Sequence, residues 1–201
     1  MMMRAILLLA VSIAIGTLAG CAASPTAKFY TLSPAAASEG GSAGTVPGEA
    51  ISVLVAPVTV PETVDRPQLV ARVGVNEVRL AEFARWAEPL KSEIQRAVAG
   101  DLAQLLADAR VSTTEQGKGS TGGYRVRIDV LRFDSSLGET ATVEALWSVR
   151  LPNGAAVLSG RTFAQERVAG KDYGAMVAAH SRNVATLSRD IATAIRQSGA
   201  P

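Results

Sequence analysis

Hydrophobic and polar residues change their spacing several times along the 201-residue chain, and each change marks an element. Ala5 to Ile15 is an uncharged apolar run behind a short start that carries Arg4. Lys28-Phe29-Tyr30-Thr31-Leu32 reads as a strand. Pro34 to Ala50 is rich in Ala, Gly, Ser and Pro, with Val46 as its one large apolar residue. Such a stretch cannot bury enough surface to order itself, which predicts a flexible loop over 34–50. Ile51 to Val58 is apolar and β-branched at strand length, so it predicts a buried strand. Pro57, Pro61 and Pro67 keep the following stretch irregular or at a sheet edge. Gln68 to Val73 and Glu77 to Ala81 flank Gly74-Val75-Asn76, the pattern of a hairpin of edge strands.

The spacing then lengthens to that of a helix. Pro89 fits a first helical turn, where its missing N–H costs nothing. Leu90, Ile94, Ala97, Val98, Leu102, Leu105, Leu106 and Ala109 follow on one stripe. Gly100 weakens this helix by about 1 kcal/mol against alanine without ending it. After a glycine-rich turn at 116–123, Tyr124, Val126, Ile128 and Val130 alternate with Arg125, Arg127 and Asp129. Ala141, Val143, Ala145, Trp147 and Val149 alternate in the same way, and Ala156 to Val168 returns after the Pro152-Asn153-Gly154 turn. Asp172 caps a last helix whose stripe is Tyr173, Val177, His180, Val184, Leu187, Ile191 and Ile195. One apolar face per element predicts an α+β domain of two layers, a mostly antiparallel sheet with two main helices packed on one face. It spans 28–198, and no internal repeat is present.

Composition narrows the chemistry. Twenty basic and 18 acidic residues give a net charge of +2 with no long basic run, which speaks against nucleic acid as a partner. A single cysteine excludes a disulfide framework and a multi-thiolate metal site. A single histidine excludes a histidine-rich metal centre, and neither metal nor cofactor is expected.

The first 20 residues differ from the rest. A charged start, an apolar middle and small residues before Cys21 follow the order of a signal peptide. The uncharged stretch from Ala5 to Gly20 is 16 residues, short of the roughly 20 that a spanning helix needs. Leu18-Ala19-Gly20-Cys21 resembles the bacterial lipobox, in which the cysteine is acylated and becomes the mature N-terminus. The expected organisation is a signal peptide over 1–20, a lipidated tether over 21–27 and the domain. Lipid chains such as palmitate on Cys21 would hold the protein to a membrane, each buried methylene adding about 0.8 kcal/mol. Ala22, not Asp, follows the cysteine; by similarity to the Gram-negative sorting pattern this favours the outer membrane, with the domain facing the periplasm.

Several short motifs fail on context. Gly40-Gly41-Ser42-Ala43-Gly44 has the letters of a nucleophile elbow but lies in the low-complexity loop instead of a strand-to-helix turn. Gly117-Lys118-Gly119-Ser120-Thr121-Gly122 matches a dinucleotide fingerprint, yet a strand follows it where a helix is required. His180 reads as a neutral core histidine with a satisfied hydrogen bond; a catalytic base would need a nucleophile and an orienting carboxylate beside it. Asp129 with Asp134, and Glu62 with Asp65, are carboxylate pairs only in number. No catalytic residue is expected.

Two segments stand out as surfaces. Phe83-Ala84-Arg85-Trp86-Ala87-Glu88-Pro89-Leu90 places Trp86 either in the core at a helix entrance or outward as an anchor for a partner. Asp65-Arg66-Pro67-Gln68 is charged, rigid and non-helical. Together with the lipobox, Phe29-Tyr30-Thr31-Leu32 and Val55-Ala56-Pro57-Val58, these segments resemble the PqiC-type (YmbA-like) ABC-transport auxiliary lipoprotein family, in order and rough spacing. The resemblance implies a non-enzymatic outer-membrane lipoprotein on the periplasmic face. Its partners would be an MCE-domain protein and an inner-membrane permease that move lipid between membranes, with a homo-oligomeric ring as a further expectation. Asp65, Arg66, Pro67, Gln68, Arg85, Trp86 and Glu88 form the expected contact surface. The rival expectations are a lipoprotein that carries lipid in a groove between sheet and helices, a structural envelope lipoprotein, and a periplasmic hydrolase built on His180.

Overall fold

The strands and helices read from the alternating and helical runs are present in a computed structural model, which describes residues 26–35, 51–106, 109–114, 123–154 and 156–199. Residues 36–50 of the predicted loop over 34–50, Cys21 with its lipobox, and the motifs at 40–44 and 117–122 lie outside the described residues. In chain order the elements are β1 (Lys28–Tyr30), β2 (Ser52–Val55), β3 (Gln68–Gly74), β4 (Glu77–Trp86), α1 (Leu90–Leu105), β5 (Arg110–Ser112), β6 (Tyr124–Ser135), β7 (Thr140–Arg150), β8 (Val157–Arg167) and α2 (Tyr173–Gln197).

The strands divide into two sheets instead of one. The larger has the order β5-β2-β6-β7-β8, and the smaller β1-β4-β3. β6, β7 and β8 form the antiparallel meander that their alternation predicts. β2, however, runs parallel to both β5 and β6, and β1 runs parallel to β4. The reason is the long crossover from β2 to β5, which contains the β3–β4 hairpin and α1. A crossover that carries a helix returns the chain parallel to its start and lays the helix on the sheet. Accordingly α1 lies over β2 and β5, and α2 over β7 and β8.

Between helices and sheet the core is filled. Val53, Val55, Ile94, Val98, Leu102, Val126, Ile128, Leu187, Ile191 and Ile195 have no exposed surface. α2 begins where Asp172 accepts the Ala175 N–H at 2.9 Å. α1 ends at Leu105, short of the predicted Ala109.

Gly100 stays within α1, and its role is a close approach. A Cβ there would sit 2.5 Å from Cγ of Pro34, in the segment that leaves β1 and crosses the helix. That segment is held by buried carboxylates. The Leu32 N–H donates to Glu93 Oε2 at 2.9 Å, and the Ala35 N–H to Asp101 Oδ1 at 2.8 Å. Ser188 of α2 donates to the other Asp101 oxygen at 3.0 Å. Burial pushes the Glu93 carboxyl above its ordinary range, against the Leu32 N–H and the Arg96 guanidinium.

A second close approach fixes the far edge of the meander. Trp147 lies across Gly160 on the neighbouring strand, its indole N–H donating to Thr162 Oγ1 at 3.1 Å. The Thr162 hydroxyl donates in turn to Asp190 of α2 at 2.5 Å. A Cβ at Gly160 would penetrate the indole ring. Gly160→Ala is therefore expected to cost about 1–3 kcal/mol by overpacking. An unchanged midpoint of thermal unfolding would show that the ring swings aside freely.

Candidate partner-binding surface

Pro61 starts a tight turn, accepting N–H groups from Val64 at 3.0 Å and Asp65 at 3.1 Å. Buried Val64 pins this turn and leaves Asp65 exposed. The chain then enters β3, where Gln68 lies opposite Arg85 of β4. The Trp86 N–H donates to the Pro67 carbonyl at 2.7 Å, and the Ala87 N–H to Tyr30 at 2.9 Å. The two segments singled out by sequence thus meet at one end of the smaller sheet, beside the start of α1. Lys91 Nζ lies 3.4 Å from Asp65, and Arg96 Nε 3.7 Å from Glu88. Both pairs are solvent-facing and worth at most about 1 kcal/mol each.

Asp65, Pro67 and Glu88 are exposed, and Arg66, Gln68 and Arg85 half-buried. The Arg66 Nε is buried without a hydrogen-bond partner. Trp86 corrects the expectation of an exposed anchor: it is only 5% exposed. Strand alternation turns Ala84 and Trp86 inward and Phe83 and Arg85 outward. The indole meets Phe133 edge to face, ring centres 6.1 Å apart. It is a core aromatic at the helix entrance, and the contact surface loses it.

Sequence reading missed two residues of this face. Phe29 is 64% exposed and Phe83 45% exposed. Phe29 lies in register with Arg85, which shares its side of β4 with Phe83. Both lie within segments already singled out, but an aromatic in a strand reads by default as core. Only the neighbour relation of β1 and β4 shows that these rings are left in solvent.

His180 is buried and stacked on Phe133, ring centres 3.8 Å apart and planes 9° from parallel. Its Nδ1 is buried without a hydrogen-bond partner, so this ring nitrogen departs from the expectation of a satisfied imidazole. Burial lowers its pKa from 6.5 to about 3, against a smaller upward pull from Asp134. It is held neutral in the core, not in the cleft that a hydrolase would need. Asp134 is ion-paired to Arg72 at 3.2 Å and Arg132 at 2.8 Å, and Asp129 accepts from the Thr59 hydroxyl at 2.8 Å. Neither forms a carboxylate dyad. Among the described residues no group of three or more His, Cys, Asp and Glu could hold a metal. Among them also, no helix is long and apolar enough to cross a membrane.

Grooves occur on the outside. One of about 230 Å³ lies between the β3–β4 hairpin and β6, lined in part by Val70, Val78, Leu131 and Asp134. Another, of about 610 Å³, lies along the hairpin, lined in part by Val73, Val75, Arg79 and Leu137. Neither lies between the sheet and the helices, where a lipid carrier of the kind considered above would need its cavity.

A filled core, an exterior with exposed aromatics and paired charges, and two partly parallel sheets define a small α+β domain whose distinctive features are on its surface. No curated protein matches the sequence. The chain matches the ABC-type transport auxiliary lipoprotein component family over residues 30–192, and it belongs to that family. Membership supports a non-enzymatic auxiliary role in ABC-type transport. Among solved structures, an uncharacterized protein is similar at TM-score 0.69 and 17% identity, covering 85% of this chain and 99% of its own. Protein XCC0632 from Xanthomonas campestris is similar at TM-score 0.58 and 20% identity, covering 75% of this chain and 91% of its own. At these identities the likeness speaks to the fold.

Proposed function

We propose that this protein is an outer-membrane lipoprotein, anchored through acylated Cys21, that serves an MCE/ABC-type intermembrane lipid transport system as a non-enzymatic component. The observation that carries this reading is the family match over residues 30–192. The lipobox-like Leu18-Ala19-Gly20-Cys21 supports the anchor and the periplasmic placement. The partners are an MCE-domain protein and an inner-membrane permease. A ring of several copies around the end of an MCE assembly belongs to the same reading. The contact surface is the exposed side of Asp65, Arg66, Pro67, Gln68, Arg85 and Glu88, now joined by Phe29 and Phe83. The filled space between helices and sheet favours a scaffold over a carrier that holds lipid in its own core.

The test is capture of partners by the full-length protein from detergent-solubilised envelopes. The wild type should retain the MCE protein. Asp65→Lys with Arg85→Glu and Glu88→Lys should cut retention about tenfold or more, since reversed charges meet like charges on the partner, and such juxtaposition at a docking surface costs several kcal/mol. None of the three side chains is in the core, and the loss of the pairs with Lys91 and Arg96 should lower the thermal midpoint by only a few degrees, leaving the variant folded. Undiminished capture by the triple variant would remove the surface assignment. Failure of the wild type to retain any MCE protein would remove the transport reading. Cys21→Ser should accumulate unprocessed; mature, membrane-attached material from that variant would refute the anchor.

A further inference from the structure

The β3–β4 hairpin ends in apolar side chains that no role described so far uses. Val75 in the turn is 89% exposed, and Val73 on β3 and Val78 and Leu80 on β4 are exposed beside it. A hairpin packed on a core keeps one apolar face and turns a polar one to water. The end of this one is apolar on both faces. Val78 lines a groove with Leu131 on one side, and Val73 and Val75 line another with Leu137 on the other. Arg72 braces the turn, donating to the Val75 carbonyl at 2.8 Å while paired to Asp134 at 3.2 Å. An exposed apolar cluster of this kind marks contact with a protein or with a membrane.

The course of the chain toward its anchor favours the membrane. β1 runs parallel to β4, so the chain enters β1 from the end of the domain where β4 starts, which is the hairpin turn. Lys28 lies opposite Ala84, seven residues after Glu77, and Cys21 stands seven residues before Lys28. Seven residues of strand cover about 23 Å, and seven residues of tether reach at most about 25 Å. Lipid on Cys21 therefore brings a membrane within reach of the hairpin turn. A docked protein would cover one face of the hairpin, whereas acyl chains surround a projecting end and meet valines on both. Asn76, Glu77 and Arg79, interleaved with the valines, would lie among the headgroups, as polar side chains do on an element seated at the interface.

We propose that the end of the β3–β4 hairpin, Val73, Val75, Val78 and Leu80, inserts into the leaflet that holds the acyl chains of Cys21. The domain is then held at two points, by its lipid and by the hairpin, which fixes its orientation on the membrane. The inference rests on the anchor at Cys21 and is independent of the transport partners.

The acylated protein, reconstituted in vesicles of phosphatidylethanolamine and phosphatidylglycerol, reads the contact. Cys21 is the chain's one cysteine, and its sulfur carries lipid in the mature form, so Asn76→Cys gives a single thiol for a polarity-sensitive fluorophore. Ser159→Cys labels an exposed position on β8, level with Ser148 and away from the hairpin. Brominated acyl chains should quench the probe at 76 about twofold or more beyond the probe at 159. Val73→Asp with Val75→Asp should abolish that difference, because a charge resists transfer into acyl chains. Should the double variant fail to fold, Val75→Asp alone, at the most exposed of these positions, should cut the difference by about half or more. Retained protein whose two probes are quenched alike overturns the hairpin contact and leaves the anchor standing. Protein that does not stay with the vesicles overturns the anchor and the hairpin contact with it. Emission at 76 that shifts without quenching by brominated lipid, and reverts when the protein is diluted across excess vesicles, assigns the end to a second copy of this chain and overturns the proposal.

Discussion

Trp86→Ala is expected to cost about 3–5 kcal/mol, the range for deleting a buried aromatic side chain. A domain of this kind has about 5–15 kcal/mol of stability in all, so the loss is a large share of it and the variant should melt well below the wild type. The indole is almost wholly buried and supports Phe133, which in turn stacks on His180. Truncating it opens a space that these rings cannot fill without leaving their present contacts. Urea unfolding of wild type and variant checks the size of the loss. A loss below about 1 kcal/mol would mean that the site collapses readily and that the aromatic cluster is not a stabilising unit. The result also bears on partner binding. Any loss of partner capture by a Trp86 variant would report unfolding, and this is why charge reversals at Asp65, Arg85 and Glu88 probe the surface instead.

Acid should weaken the fold through His180. The unfolded chain takes up this proton near pH 6.5, and the folded protein resists it down to about 3. Between these values the unfolded state binds more protons, so stability falls as the pH falls. The contribution is fully present above pH 6.5 and is lost progressively toward pH 3, a swing on the order of 4 kcal/mol. Glu93 works the other way. Its carboxyl pKa is raised, so the folded state gains stability as the pH falls through that raised value. The His180 slope is read between pH 6.5 and about 5, above the range of ordinary carboxylates, where the opposing contribution of Glu93 is common to wild type and variant. His180→Met, which fills much of the same space without a titrating group, should flatten this part of the profile. Equal slopes for wild type and variant in urea titrations across that interval would show that the imidazole does not govern it.

Much of the architecture could be read before any coordinates. Alternation along Tyr124 to Val130 and Ala141 to Val149 marks buried strands, and the two helical stripes mark the faces that pack on them. Asp172 announces its cap because an acid just before a helical stripe has a free N–H to satisfy. These features depend on residues close in sequence. Gly100 was visible only as a weak point of its helix, and nothing in the sequence pattern marked Gly160. Their reasons, Pro34 crossing α1 and Trp147 lying over β8, depend on residues brought near by folding. The same limit applies at the candidate surface. Asp65 to Gln68 and Arg85 to Glu88 could each be singled out, but their junction through Pro67 and Trp86 could not.

The amino-acid order by itself determined the element types, the inward and outward faces of the meander and the helices, and the family resemblance, because each rests on local periodicity or on short motifs. Only the tertiary structure decided that the strands form two sheets, that β2 enters parallel, and that Trp86 is core while Phe29 and Phe83 are surface. The physical reason is that a side chain's period names the face it takes, whereas the neighbour on that face is set by which distant strand pairs alongside.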